Sequence, residues 1–171
     1  MTDLAAAPAE RTRTIEWDDP LIGARQGMRM SGIDYLRAMQ CGELPPPPIG
    51  WTLDFTLDEV EEGRAVFAMT PSEFHYNPIG VVHGGVAATL CDSAMGCAVH
   101  SLLPAGSGYT TLEIKINLLR PLTRDTGRVR AEGRVIHAGR TTALAEARLV
   151  DEAGKLLAHA TSTCLIIRHG G

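Results

Sequence analysis

The junction at which Asn77-Pro78-Ile79-Gly80-Val81-Val82-His83-Gly84-Gly85 runs into Val86-Ala87-Ala88-Thr89-Leu90-Cys91-Asp92-Ser93-Ala94-Met95-Gly96-Cys97-Ala98-Val99 constrains the chain more than any other. A glycine-rich turn feeds a helix that is apolar nearly all round, and such a helix is stable only when other elements surround it. Asp92 is its one carboxylate. An ionised carboxylate taken out of water needs hydrogen-bond donors or a partner charge, and no Lys or Arg lies between His83 and Val99. A buried Asp92 would draw its compensation from elsewhere in the fold, or from chemistry.

What surrounds the helix can be read from the segments on either side. Trp51-Thr52-Leu53-Asp54-Phe55-Thr56-Leu57 alternates with period two and, through a turn at Glu61-Glu62-Gly63, predicts a hairpin with Arg64-Ala65-Val66-Phe67-Ala68-Met69. Beyond the helix and a loop at 103–108, four strand-like runs follow over 109–119, 127–137, 141–151 and 155–167. In the first of them Leu112, Ile114, Ile116 and Leu118 are predicted to share one face. The order β-β-α-β-β-β-β predicts an α+β fold in which one curved, mainly antiparallel sheet wraps the helix.

Ahead of this domain, taken as 50–168, the chain divides in two. Residues 1–16 are short on large apolar side chains and read as a mobile tail. Residues 17–49 read as a helical extension that starts at Asp18-Asp19-Pro20, stops at Gly42 and ends in a stiff connector, Pro45 to Pro48, which is expected to exclude helix.

Composition narrows the partners. A net charge of −4 over 171 residues argues against nucleic acid. The longest apolar run, 81–99, is broken by His83, two glycines and Asp92, so no membrane span is expected. Cys41, Cys91, Cys97 and Cys164 form no metal or C-x-x-C spacing and read as reduced structural thiols of a cytoplasmic protein. His75, His100, His159 and His169 lack ligand spacing, and no metal is expected.

Counting by threes and fours, Gly85, Ala88, Thr89, Asp92 and Gly96 line one helix stripe, small residues around one acid. His83-Gly84-Gly85 offers backbone N–H groups at the positive end of the helix dipole, where an oxyanion would be stabilised. Asn77, six residues before the histidine, can orient a carbonyl or a water. Polarising amides, an acid or base, and a positioning amide are the parts of an acyl-transfer site. For His83, helix capping and direct chemistry are both open.

Asn77, the His83-Gly84-Gly85 turn, and Asp92 nine residues after the histidine resemble the hot-dog fold acyl-CoA thioesterases of the phenylacetate-pathway (PaaI) type, in the 4-hydroxybenzoyl-CoA thioesterase superfamily. The resemblance extends through 109–121 to the Gly139-Arg140 turn and 158–164. It implies hydrolysis of an acyl-CoA to a carboxylic acid and free CoA, with no cofactor beyond the CoA of the substrate. Asp92 then resembles the general base or nucleophile, Gly84 the amide that polarises the thioester carbonyl, Asn77 its positioning partner and His83 the supporting histidine. Thr110 falls where a neighbouring subunit often supplies a hydroxyl, which implies a homodimer or homotetramer with shared sites. Arg120, His137, Gly139 and Arg140 lie where the pantetheine and phosphates of CoA would pass. The rival readings are a hot-dog hydratase acting on enoyl or hydroxyacyl thioesters, whose motif is absent, and a non-catalytic acyl-CoA-binding regulatory module. The acyl group, whether aryl, aryl-acetyl or fatty, is not legible.

Overall fold

The structure is a computed structural model that describes residues 10–168. Residues 1–9 of the expected tail, and His169, lie outside the described residues. The extension forms two helices, α1 (Pro20–Gly27) and α2 (Gly32–Gln40). Asp19 caps the first by accepting from the Leu21 amide at 2.9 Å, with Pro20 in the first turn. Ser31 caps the second, and Gly42, at φ +82°, follows its end.

A third helix, α3 (Pro48–Leu53), is a correction to the sequence reading. The last proline of the connector begins a helix instead of excluding one. Its missing N–H falls where a helix has no acceptor to offer, and its fixed φ is already helical. Asp54 then ends the helix in the left-handed region, at φ 55°, its N–H donating to the Gly50 carbonyl. The period-two run from Trp51 is thereby split, and the first strand begins only at Phe55.

The strands are β1 (Phe55–Glu61), β2 (Arg64–Met69), β3 (Ser107–Leu118), β4 (Val129–Ala138), β5 (Thr142–Asp151) and β6 (Leu156–Arg168). They form one sheet in the order β1-β2-β4-β5-β6-β3, every neighbouring pair antiparallel. The long helix α4 (Gly84–His100) lies against it, as the sequence predicts for the hot-dog fold.

The sheet can hold the helix close because its middle is lined by small residues. Ala131, Ala145, Ala147, Ala158 and Ala160 are fully buried there. Gly133 on β4 goes further: a Cβ at this position would stand 2.3 Å from the Ala94 backbone carbonyl. Leu90, Met95 and Val99 complete the contact from the helix side, each contributing about 1.5–3 kcal/mol by burial.

β3 departs from simple alternation. Its pairing with β6 runs Thr111↔Cys164 and then Glu113↔Thr163, so Leu112 is an extra residue in a bulge. The bulge turns Tyr109 and Thr111 toward α4 together with Ile114 and Ile116, and leaves Leu112 56% exposed. The expected single face from Leu112 to Leu118 is therefore broken at its first member.

The extension is built into this body. Leu36 of α2 is in the core, the Gly32 N–H donates to the Leu103 carbonyl at 2.9 Å, and Gly32 lies so near the end of α4 that a Cβ would fall on the His100 carbonyl. The Arg13 guanidinium donates to the carbonyls of Trp51 and Thr52 and lies over the Phe74 ring. No helix among the described residues is long and apolar enough to cross a membrane.

Candidate active site

The loop before α4 is held by its own side chains. Asn77 Oδ1 accepts from the amides of Ile79 (3.0 Å) and Val81 (3.3 Å), and Gly80 supplies the positive φ the turn requires. With the oxygen so engaged, the Asn77 amide nitrogen has no acceptor among the described residues and remains available to a ligand. Val82 N–H donates to the Leu122 carbonyl (2.9 Å), tying the loop to the segment after β3.

His83 caps α4. Its Nδ1 accepts from the Gly85 amide at 2.9 Å, which requires that nitrogen to be unprotonated. Of the two glycine amides at the helix start, Gly85's is thereby used, and Gly84's has no acceptor among the described residues. His83 is itself fixed from behind: its N–H donates to the His75 carbonyl at 2.8 Å. The buried His75 ring accepts from Ser72 N–H at Nδ1 (3.0 Å) and donates from Nε2 to the Leu53 carbonyl (2.9 Å). Burial holds the His75 pKa below its ordinary value. An uninterrupted series of hydrogen bonds thus runs from the end of α3 through His75 and His83 to the start of α4. The sequence gives no sign of His75's part, because both of its ring partners are backbone groups and one of them, the Leu53 carbonyl, lies 22 residues away.

A cavity of about 250 Å³ opens beside the Gly84 amide, walled by Asn77, His83, Leu118, Leu119, Arg120 and Leu122. A Cβ at Gly84 would stand 2.6 Å from Leu118 Cδ1, the end of a flexible and half-exposed side chain that would have to turn aside. A larger, open depression of about 790 Å³ lies over Arg13, Trp17 and Trp51, and none of the candidate site residues lines it.

Asp92 sits two turns further along the helix. Its Oδ1 accepts from Thr111 Oγ1 at 2.9 Å, so the carboxylate's compensation within the chain is a hydroxyl, contributed by β3. Thr110, singled out from the sequence, is exposed on the opposite face of β3; the bulge at Leu112 gives the inward position to Thr111. Past Asp92 the stripe closes: a Cβ at Gly96 would meet Tyr109 Oη at 2.3 Å, and burial raises the Tyr109 hydroxyl's pKa well above its usual range. Burial also pushes the Cys91 and Cys97 thiols up to about 12, consistent with structural rather than reactive cysteines.

The chain therefore brings the sequence-predicted residues together in two groups. Asn77, His83, Gly84 and Arg120 meet at the helix start, although the Arg120 guanidinium donates to the Leu156 carbonyl. Asp92 forms the second group with Thr111. His137, Gly139 and Arg140 belong to neither; they form the β4–β5 turn, closed by Gly139 N–H donating to the Thr142 carbonyl at 2.8 Å. Among the described residues no cluster of three or more His, Cys, Asp or Glu side chains forms a metal-binding group.

Known proteins share both fold and sequence with this arrangement. The profile of the thioesterase superfamily matches residues 79–158. A 1,4-dihydroxy-2-naphthoyl-CoA hydrolase of Listeria monocytogenes is 31% identical over 106 residues, 62% of this chain and 85% of that protein. The PaaI protein of the Escherichia coli phenylacetic acid degradation operon superposes with a TM-score of 0.69 at 25% identity, over 83% of this chain and 97% of that one. A thioesterase of Haemophilus influenzae does so with a TM-score of 0.67 at 25% identity, over 72% and 85%. The free amide at the start of a sheet-wrapped helix, with an acid on the same helix, thus occurs in a chain that belongs to the thioesterase superfamily, a thioester hydrolase of the hot-dog fold.

Proposed function

We propose that the chain hydrolyses an acyl-CoA to a carboxylic acid and free CoA, at a site shared between two copies of itself. The observation that carries this reading is the separation of the two groups along α4. Gly84 and Asp92 are eight residues apart, about 12 Å at about 1.5 Å of rise per residue. A thioester carbonyl within about 3 Å of the Gly84 amide is out of reach of a water held by Asp92 on the same helix. Two antiparallel copies would bring Asn77 and Gly84 of one chain opposite Asp92 and Thr111 of the other.

In this arrangement Asp92 takes a proton from water as the oxygen attacks the thioester carbon, with Thr111 fixing the carboxylate. The Gly84 amide, at the positive end of the helix, receives the negative charge that develops on the carbonyl oxygen. Collapse breaks the carbon–sulfur bond, and the CoA thiolate leaves and takes up a proton. General-base help of this kind contributes about 10²–10⁴ in rate. The Listeria relative's substrate carries an aromatic acyl group, which supports testing aryl and aryl-acetyl esters beside medium-chain ones, ranked by kcat/KM.

Subunit complementation tests the shared site. Asp92→Asn and Asn77→Ala chains are each expected to lose thiol release as homodimers. Mixed at equal amounts and re-equilibrated, half the dimers combine the two chains and carry one intact site each, giving about a quarter of wild-type activity. No recovery in verified mixed dimers, or a fully active monomer by light scattering, would overturn the shared site.

A further inference from the structure

A third concavity lies away from both groups of site residues. It is a cleft of about 160 Å³ between the extension and the start of the sheet. Phe55 and Phe67 form its floor, their rings edge to face with centroids 5.7 Å apart. Met39, Pro46 and Pro47 wall it from the extension side, and Trp51 stands at its rim. It shares no residue with the cavity beside Gly84.

We propose that this cleft binds a small neutral aromatic molecule bearing a hydrogen-bond donor, of the phenol class. Size argues for a single ring: a dry apolar cavity of about 150 Å³ accepts benzene. The floor and walls argue for an aromatic, since rings favour edge-to-face contact with Phe and stack on proline and tryptophan. The polar requirement comes from Asp54. Asp54 lines the cleft from an exposed position at its edge, and its carboxylate accepts no hydrogen bond from any described residue, whereas the Gln40 amide beside it donates to the Asp58 carbonyl. A solvent-facing carboxylate at the edge of an apolar cleft favours an O–H donor and repels an anion. Asp54 also stands where the chain turns from α3 into β1 in the left-handed region, so its side chain is held at the rim by the backbone.

The chain has two tryptophans, Trp17 and Trp51, and only Trp51 lines this cleft. In a Trp17→Phe protein Trp51 is the one fluorophore; because it also lines the open depression over Arg13, binding is assigned to the cleft by the Met39→Trp variant, since Met39 lines the cleft and not that depression. Phenol is expected to quench it saturably, with a Kd on the order of 1 mM. Asp54→Asn, which keeps a residue tolerant of the left-handed conformation, should weaken phenol about 5- to 10-fold and leave benzene unchanged. Met39→Trp, read by thermal shift, should fill the cleft and abolish phenol-dependent stabilisation. Asp92→Asn should bind phenol as the parent does, because the proposal does not rest on the hydrolytic site. Linear, non-saturating quenching would overturn the proposal, as would saturable binding untouched by Asp54→Asn. Benzoate binding as tightly as phenol would also refute the role given to Asp54.

Discussion

Replacing Thr111 by Val is the most direct test of how β3 serves the site. Valine keeps the shape and the β-branch and removes only the hydroxyl, so packing against α4 is preserved. What is lost is the 2.9 Å hydrogen bond to Asp92 Oδ1. A hydrogen bond to a charged group contributes about 1.5–3 kcal/mol. If that stabilisation is expressed in the transition state, kcat falls about 10- to 150-fold. Because the bond orients a carboxylate rather than the substrate, KM should change little. Thiol release from an acyl-CoA, followed with a chromogenic disulfide, gives both constants. Thr111→Ser restores the hydroxyl and should recover activity to within a few-fold. Thr110→Val, one residue away on the other face, should stay within about twofold for an outward strand position. A Thr111→Val enzyme within twofold of wild type, or a Thr110→Val enzyme that loses tenfold, would refute the register on which this reasoning rests.

Gly133→Ala presses a methyl to 2.3 Å from the Ala94 backbone, and overpacking of about 1–3 kcal/mol should lower Tm by about 2–12 °C; an unchanged melt would mean the helix does not lie this close. His75 and His100 are both held below the ordinary histidine value by burial, so below pH about 6.5 the unfolded chain binds protons that the folded chain resists. Stability to urea should therefore be level above about pH 6.5 and decline as the pH falls from there toward the lower folded-state values, with His75→Gln shallower than wild type; a midpoint that rises on acidification would contradict the sign. Of the four cysteines only Cys41 is exposed, while Cys91 and Cys97 have thiols pushed up to about 12. At pH 8 one thiol per chain should react quickly with a disulfide reagent and the others only after denaturation.

The helix and the strands around it were legible because each carries its own pattern: an apolar run between glycine and polar turns, and alternation between turn residues. Asn77, His83 and Gly84 were legible as a group because they lie on one short segment whose geometry is local. Thr111 was not. A bulge depends on the pairing of β3 with β6, and one extra residue reverses every assignment on its N-terminal side while leaving the composition of the strand unchanged. The helix at Pro48–Leu53 was hidden for a different reason, since proline in a first turn and proline in a coil look alike until the residues after it are placed. His75 owes its role to Leu53 and Ser72, and nothing about a histidine in sequence announces two backbone partners.

The alanine-lined trough under α4 also bears on how such a chain can change over time. Ala131, Ala145, Ala147, Ala158 and Ala160 have no room to grow and Gly133 has less, so substitution in the centre of the sheet is closed to adaptation. New substrate preference has to arise at the margins, in the 77–82 loop, the 118–122 segment and the extension, whose side chains can lengthen into solvent or into a cavity. Two chains with nearly the same trough can therefore accept different acyl groups.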